Sequence, residues 1–132
     1  MSITKVKISD GPSKSIYQFY FESNGVDGEL ENELLLDPTV DFTPALSSKE
    51  QITINQIWYG FSWFDVLLTF DALEQFPSWV LPRDASTYVD FRYFGGLKDR
   101  SGAESTGKLY ISTDGYAPAG SKGTMIIEFK KN

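Results

Sequence analysis

Carboxylates are the reactive groups this chain has in excess: 18 Asp and Glu in 132 residues, against 12 Lys and Arg and no histidine or cysteine. That inventory removes zinc–thiolate sites, disulfides and every catalytic arrangement that needs an imidazole or a thiol. Acids alone can hold a hard cation or serve as an acid/base pair. Asp27, Glu29, Glu31 and Glu33 recur at every second position, so an extended backbone projects all four on one face. Calcium is bound by many such oxygens, but no Asp-x-Asp-x-Asp-Gly loop is present to curve the chain around an ion. The segment reads as a solvated edge whose charge discourages pairing with other chains. Asp65, Asp71 and Asp90 lie near apolar strand ends, where two acids held ~5–10 Å apart could hydrolyse a glycosidic bond. With so many acids such proximity arises by chance, and Asp71 and Asp114 read better as turn starters that bond nearby N–H groups. Gly95-Gly96 lacks the lysine and following helix of a phosphate loop and reads as a tight turn. No catalytic residue, metal or cofactor is expected, and the chain is read as non-enzymatic.

The aromatics point to binding instead. Phe61, Trp63 and Phe64 gather at one turn, Trp79 follows, and Tyr116 lies in a glycine-rich tip. Rings collected in this way suit a protein interface, because Trp and Tyr are enriched where chains meet. Trp63, Trp79 or Tyr116 stacking on pyranose faces is the rival reading, a carbohydrate-binding module. A third arrangement has Phe76–Trp79 folding over the turn. Trp58 is assigned to the core.

Strands must position these groups. Aromatics make up 15% of the chain and no long segment has a 3.6-residue apolar rhythm, which predicts an all-β protein. Gln51–Phe70 is the central stretch, read as two neighbouring strands folded back on each other around Gly60–Trp63. Its second half alternates, with Val66, Leu68 and Phe70 on one face. Its first half changes phase at Asn55-Gln56, between Ile52/Ile54 and Ile57/Tyr59/Phe61, which predicts a β-bulge or a change of packing environment. Ile3–Ser9 and Lys14–Glu22 form an N-terminal hairpin around Asp10–Ser13, with residues 1–10 a candidate arm for a neighbouring subunit. Further strands are expected at Leu34–Asp37, Trp79–Leu81, Tyr88–Phe94, Lys108–Thr113 and Thr124–Phe129, with Pro77 ruling out a central strand nearby. Asp114–Gly123 is expected to be a floppy or partner-ordered tip. About eight short strands in a single domain over residues 1–132 predict an antiparallel two-sheet β-sandwich of jelly-roll-like form.

Charge narrows the partners. A net charge of −6 and pI near 4.6 repel a phosphate backbone, so no nucleic acid is expected. No apolar run approaches the ~18 residues needed to cross a membrane, and the first residues have no apolar segment of a signal peptide.

Several stretches together carry a likeness: Ile57-Trp58-Tyr59, Phe64-Asp65-Val66 through Phe70-Asp71-Ala72, Asp90-Phe91-Arg92-Tyr93-Phe94-Gly95-Gly96-Leu97, Thr106–Thr113 and Ile126–Asn132. Over about residues 50–132 the chain resembles small virion structural proteins of tailed bacteriophages; the N-terminal third is not matched. These motifs are structural, so the resemblance transfers no functional residue. It implies a particle component: a head decoration (cement) protein that binds major capsid subunits, with a neck or tail accessory as the alternative. It further implies a location in the virion, assembled in the host cytoplasm. A symmetric homo-oligomer, a trimer as in many decoration proteins, is expected, with Phe61, Trp63, Phe64, Trp79 and Tyr116 as its interface residues.

Overall fold

The computed structural model describes residues 1–25, 30–42, 52–71, 76–98 and 106–131. Among them are ten strands: β1 (Ser2–Asp10), β2 (Lys14–Glu22), β3 (Glu33–Leu36), β4 (Ile52–Phe61), β5 (Asp65–Phe70), β6 (Phe76–Leu81), β7 (Ala85–Asp90), β8 (Leu97–Lys98), β9 (Leu109–Asp114) and β10 (Lys122–Lys131). A single helical turn, α1 (Pro38–Asp41), and a 3-10 turn, η1 (Arg92–Phe94), complete it.

The strands form two antiparallel sheets. One runs β1-β2-β10-β4-β7, with β8 also paired to β4; the other runs β3-β9-β5-β6. Four pairs are nested along the chain: β2 with β10, β3 with β9, β4 with β7, and β5 with β6. Nested antiparallel pairs wrapped into two sheets make an antiparallel β-sandwich, the two-sheet fold class expected from the strand spacing. β6 is an edge strand, so Pro77 removes no ladder hydrogen bond that a neighbour needs.

The core lies between the sheets. Val66, Leu68 and Phe70 of β5 and Leu109 and Ile111 of β9 face Met125, Ile127 and Phe129 of β10 and the inward side of β4, all buried. Aromatic rings interlock within the core, with Phe21–Phe61 at 5.3 Å, Phe61–Phe64 at 5.4 Å and Phe42–Phe129 at 5.8 Å between centroids. The phase change in β4 is a bulge. Glu128 pairs with Gln56 and Phe129 with Ile54, which leaves Asn55 as the extra residue. Ile52 and Ile54 before it, and Ile57, Tyr59 and Phe61 after it, therefore all point inward.

Four expectations need correction. β4 and β5 do not form a hairpin. β4 is flanked by β10 on one edge and β7 and β8 on the other, β5 by β9 and β6, so the turn at Ser62–Phe64 carries the chain from one sheet to the other. Phe61 and Phe64 on either side of that turn both point into the core, which requires their strands to face one another. The strand expected over Tyr88–Phe94 ends at Asp90, where Phe91 turns inward and η1 begins. Trp58 is exposed, because the bulge puts its neighbours Ile57 and Tyr59 inward. The tip after Asp114 is tied down: Ser23 Oγ donates to the Ala117 carbonyl at 3.0 Å, and the Ser23 N–H donates to Ser121 at 2.8 Å.

The N-terminal hairpin forms as expected; among the described residues β1 pairs only with β2, and it is exposed along most of both faces. Its turn is fastened to the last strand by the buried Lys131 ammonium, which donates to the Asp10 carboxylate and, at 2.7 Å, to the Gly11 carbonyl. Because Phe64 is fully buried among Phe21 and Phe61, Phe64→Ala is expected to cost about 3–5 kcal/mol, the range for an excised core Phe. Urea unfolding followed by Trp fluorescence checks this; a loss near zero would place the ring outside the core.

Candidate functional site

The turns β4–β5, β6–β7 and β9–β10 meet at one end of the sandwich, and two of the anticipated interface residues meet there. Trp63 sits in the β4–β5 turn with φ +79°, a left-handed backbone that is costly for a bulky residue and concentrates at functional turns. Its N–H donates to Asp84 Oδ1 at 3.3 Å, and the Asp84 N–H donates to the Phe61 carbonyl at 2.8 Å. A Cβ on Gly115 would lie 2.6 Å from the Trp63 carbonyl, so only glycine fits where the β9–β10 loop crosses the turn. Tyr116 follows, and both Trp63 and Tyr116 are exposed.

An ion pair locks these loops. Arg83 Nη2 donates to Asp65 Oδ2 at 3.0 Å and to the Asp114 carbonyl at 3.2 Å, while the Arg83 N–H donates to Asp65 Oδ1 at 2.7 Å. The guanidinium, with this backbone N–H adding to it, holds the Asp65 carboxyl below the usual carboxylate range.

The other anticipated residues lie elsewhere. Phe61 and Phe64 are core residues and present nothing to a partner. Trp79 is on edge strand β6, opposite Leu68, and packs edge-to-face on Phe91 at 4.9 Å, bridging the open side of the sandwich. It remains 40% exposed. The carboxylates considered for catalysis are each engaged separately: Asp65 with Arg83, Asp90 with Arg92 and Asp71 with the Thr106 hydroxyl at 2.7 Å. Asp27 and Glu29 lie outside the described residues, and Glu31 and Glu33 are exposed. Among the described residues no three acidic side chains converge as a cation site would require.

Two further aromatic displays appear that were not anticipated. Tyr93 and Phe94 in η1 are 94% and 81% exposed, the most exposed rings among the described residues. The elbow that carries them, Phe91–Gly96, loops out opposite the single bulged residue Asn55. The Phe91 N–H donates to the Asn55 carbonyl at 2.8 Å, and the Phe91 carbonyl accepts from Phe94 at 3.0 Å and Gly96 at 2.8 Å. Arg92 grips Asp90 through two nitrogens at 3.0 and 2.8 Å. Gly96, at φ +96°, lies so close to Thr53 that a Cβ would collide with its methyl group. The signal in the sequence was Asp90-x-Arg92 followed by Gly95-Gly96, a cap and a stop rather than a strand.

The second display crosses the outer face of the larger sheet, where register aligns Val6, Gln18, Ile126, Trp58 and Tyr88 on five consecutive strands. Trp58 and Tyr88 stack at 5.8 Å with their planes 15° apart. Next to them Gly60 leaves an open groove of about 490 Å³.

No protein-family model matches the chain, and no curated protein is similar to it. Solved structures share its outline at a distance. One is a cupin superfamily protein from Desulfitobacterium hafniense, at 12% identity over 98% of this chain and 77% of that one, with a TM-score of 0.33. Another is the acidic stable capsid structure of Helicobacter pylori bacteriophage KHP30, at 11% identity over 98% of this chain and 93% of that one, with a TM-score of 0.37. Neither superposition is close enough to carry a functional assignment.

Asp65 and Asp90 share one pH consequence. Arg92 lowers Asp90 as Arg83 lowers Asp65, first through the side-chain hydrogen bond. A carboxylate with a depressed folded pKa adds stability above its unfolded value of ~3.9, and that stability is lost as pH falls through the folded value. The urea midpoint is therefore expected to hold down to about pH 5 and drop below about pH 4. In Asp65→Asn/Asp90→Asn the neutral-pH midpoint should be lower and the acid drop shallower; an unchanged acid limb would refute the assignment.

Proposed function

We propose that the protein is a non-enzymatic structural component of a phage particle, a head decoration protein that docks on capsid subunits. The neck or tail is the alternative position for the same docking role. The elbow Phe91–Gly96 carries this reading. Two rings stand almost fully in solvent on a segment whose backbone is hydrogen-bonded, ion-paired and glycine-turned into one conformation. A self-sufficient monomer gains nothing from that arrangement, whereas a preordered aromatic anchor binds at low entropic cost.

Area sets what else is needed. Two such rings bury about 400 Å² against a pocket, roughly half of the ~800 Å² per partner of a standard interface. The rest falls to neighbouring surface and to repetition of the contact in a symmetric homo-oligomer, for which Trp63 and Tyr116 at the loop end are the second anchor. The resemblance of residues 50–132 to phage virion proteins supports the same reading. The net charge of −6 suits an outer particle surface better than one facing packaged DNA.

Co-sedimentation with purified capsids tests this directly. The wild-type chain should saturate capsid sites, and Tyr93→Ser/Phe94→Ser should weaken binding at least tenfold, the effect expected of anchor residues. The variant should keep the far-UV spectrum and urea midpoint of the parent. A strictly monomeric protein that binds no capsid or other virion subunit would overturn the proposal.

A further inference from the structure

We propose that the outer face of the six-stranded sheet carries a binding site for a neutral glycan, in the groove over Gly60. The groove lies across hydrogen-bonded strands of the larger sheet. Gly60 of β4 lies between Thr124 of β10 and Ser86 of β7, and the Trp58–Tyr88 stack stands immediately beside it. Gly60 leaves the floor of the depression bare. About 490 Å³ is open above the sheet, within the ~300–1,000 Å³ range of small-molecule sites. Even a Cβ there would come within 3.3 Å of Ser86 Oγ.

The lining selects the ligand. No charged residue lines the groove itself, in a chain that is 23% charged, and Asp84 lines only the adjoining hollow at Gly60 and Ser86. An ionic ligand would therefore find no counter-charge. The apolar wall is formed by Trp58, Tyr88 and Ile126, and the polar groups around it include the Gln18 amide and the Ser86 and Thr124 hydroxyls. Among the described residues none of these three polar side chains, nor the Trp58 indole N–H or Tyr88 hydroxyl, has an intramolecular hydrogen-bond partner. An apolar side chain from a protein partner would fill the space but strip water from these groups without replacing its hydrogen bonds, which is costly. A pyranose ring meets both demands. Its C–H face packs on an aromatic ring, and its hydroxyls both donate and accept towards amide and hydroxyl groups. The relevant ring faces are thus on the sheet, not at Trp63, Trp79 or Tyr116.

This site is independent of the elbow: its residues lie outside Phe91–Gly96, and either can fail without the other. The test is an array of neutral oligosaccharides (gluco-, manno-, galacto- and N-acetylglucosamine hexasaccharides), followed by titration of hits with Trp fluorescence and calorimetry. One of these classes is expected to saturate the protein. Trp58→Ala should weaken that binding by about tenfold or more, as loss of an aromatic anchor does. Ser86→Arg, on an exposed edge-strand position, should block the groove without removing any core contact and so guards against a folding artefact in the first variant. Trp63→Ala should bind as the parent does. Absence of binding by every neutral class at millimolar concentration would overturn the proposal, as would affinity unchanged in Ser86→Arg, or binding restricted to sialylated or sulfated glycans.

Discussion

Strand β4 must bury one face along its whole length, although its apolar residues run in two opposite phases, and the extra residue at Asn55 reconciles them. Much of the surface follows from that one insertion. On the near side of the bulge β4 pairs with β8, on the far side with β7, and the edge chain has to bridge the offset. It does so by looping out through Phe91–Gly96, anchored by the Phe91 N–H on the Asn55 carbonyl. The same shift sends Trp58 outward, into register with Tyr88. A bulge that solves a packing problem inside the sandwich thereby sets both aromatic displays outside it.

The rest of the fold keeps those displays rigid. Nested pairing places β4 and β10 at the centre of the larger sheet, each hydrogen-bonded along both edges. Behind them the interlocking Phe rings resist rearrangement, because interiors packed at crystal-like density transmit strain instead of absorbing it. At the margins ion pairs take over: Lys131 with Asp10 at the first turn, Arg83 with Asp65 at the loop end, and Arg92 with Asp90 at the elbow. The last two are solvent-facing and modest in energy. Their value lies in geometry, since each carboxylate also accepts from a backbone N–H, Asp65 from Arg83 at 2.7 Å and Asp90 from Arg92 at 2.9 Å.

The strands themselves were largely legible in the sequence. Periodicity of two in Val66–Phe70, Leu109–Thr113 and Met125–Phe129 predicted inward faces that the structure buries, and Asp10–Ser13 marked the first hairpin. The phase change at Asn55-Gln56 is compatible with a bulge or a change of packing environment, and the structure has the bulge. What periodicity could not reveal was which sheet each strand joins: a turn between two apolar strands looks the same whether it closes a hairpin or crosses the core. That ambiguity lets Phe61 and Phe64 read as interface residues beside Trp63, although they face inward. Trp58 departs from its expected place in the core for a related reason. Once the bulge is placed, Ile57 and Tyr59 fix it on the outside, but hydrophobicity alone favours the core. Tyr93 and Phe94 were hidden by an apparent alternation of Val89, Phe91 and Tyr93, which the Asp90–Arg92 clasp interrupts.

Exposed aromatic side chains normally carry a liability, because water disfavours them and flexible loops that hold them invite non-specific association. Here the three groups stand on unusually well-determined backbone. Trp63 occupies a left-handed turn closed by Asp84 and Gly115, Tyr93 and Phe94 ride on a 3-10 turn ended by two glycines of positive φ, and Trp58 and Tyr88 stand on paired strands. Backbone strain at Trp63 and the glycines required at Gly96 and Gly115 restrict which sequences can build this surface. Rings held on such backbone are oriented during folding, so a partner that met them would not have to bear the ordering cost at the encounter.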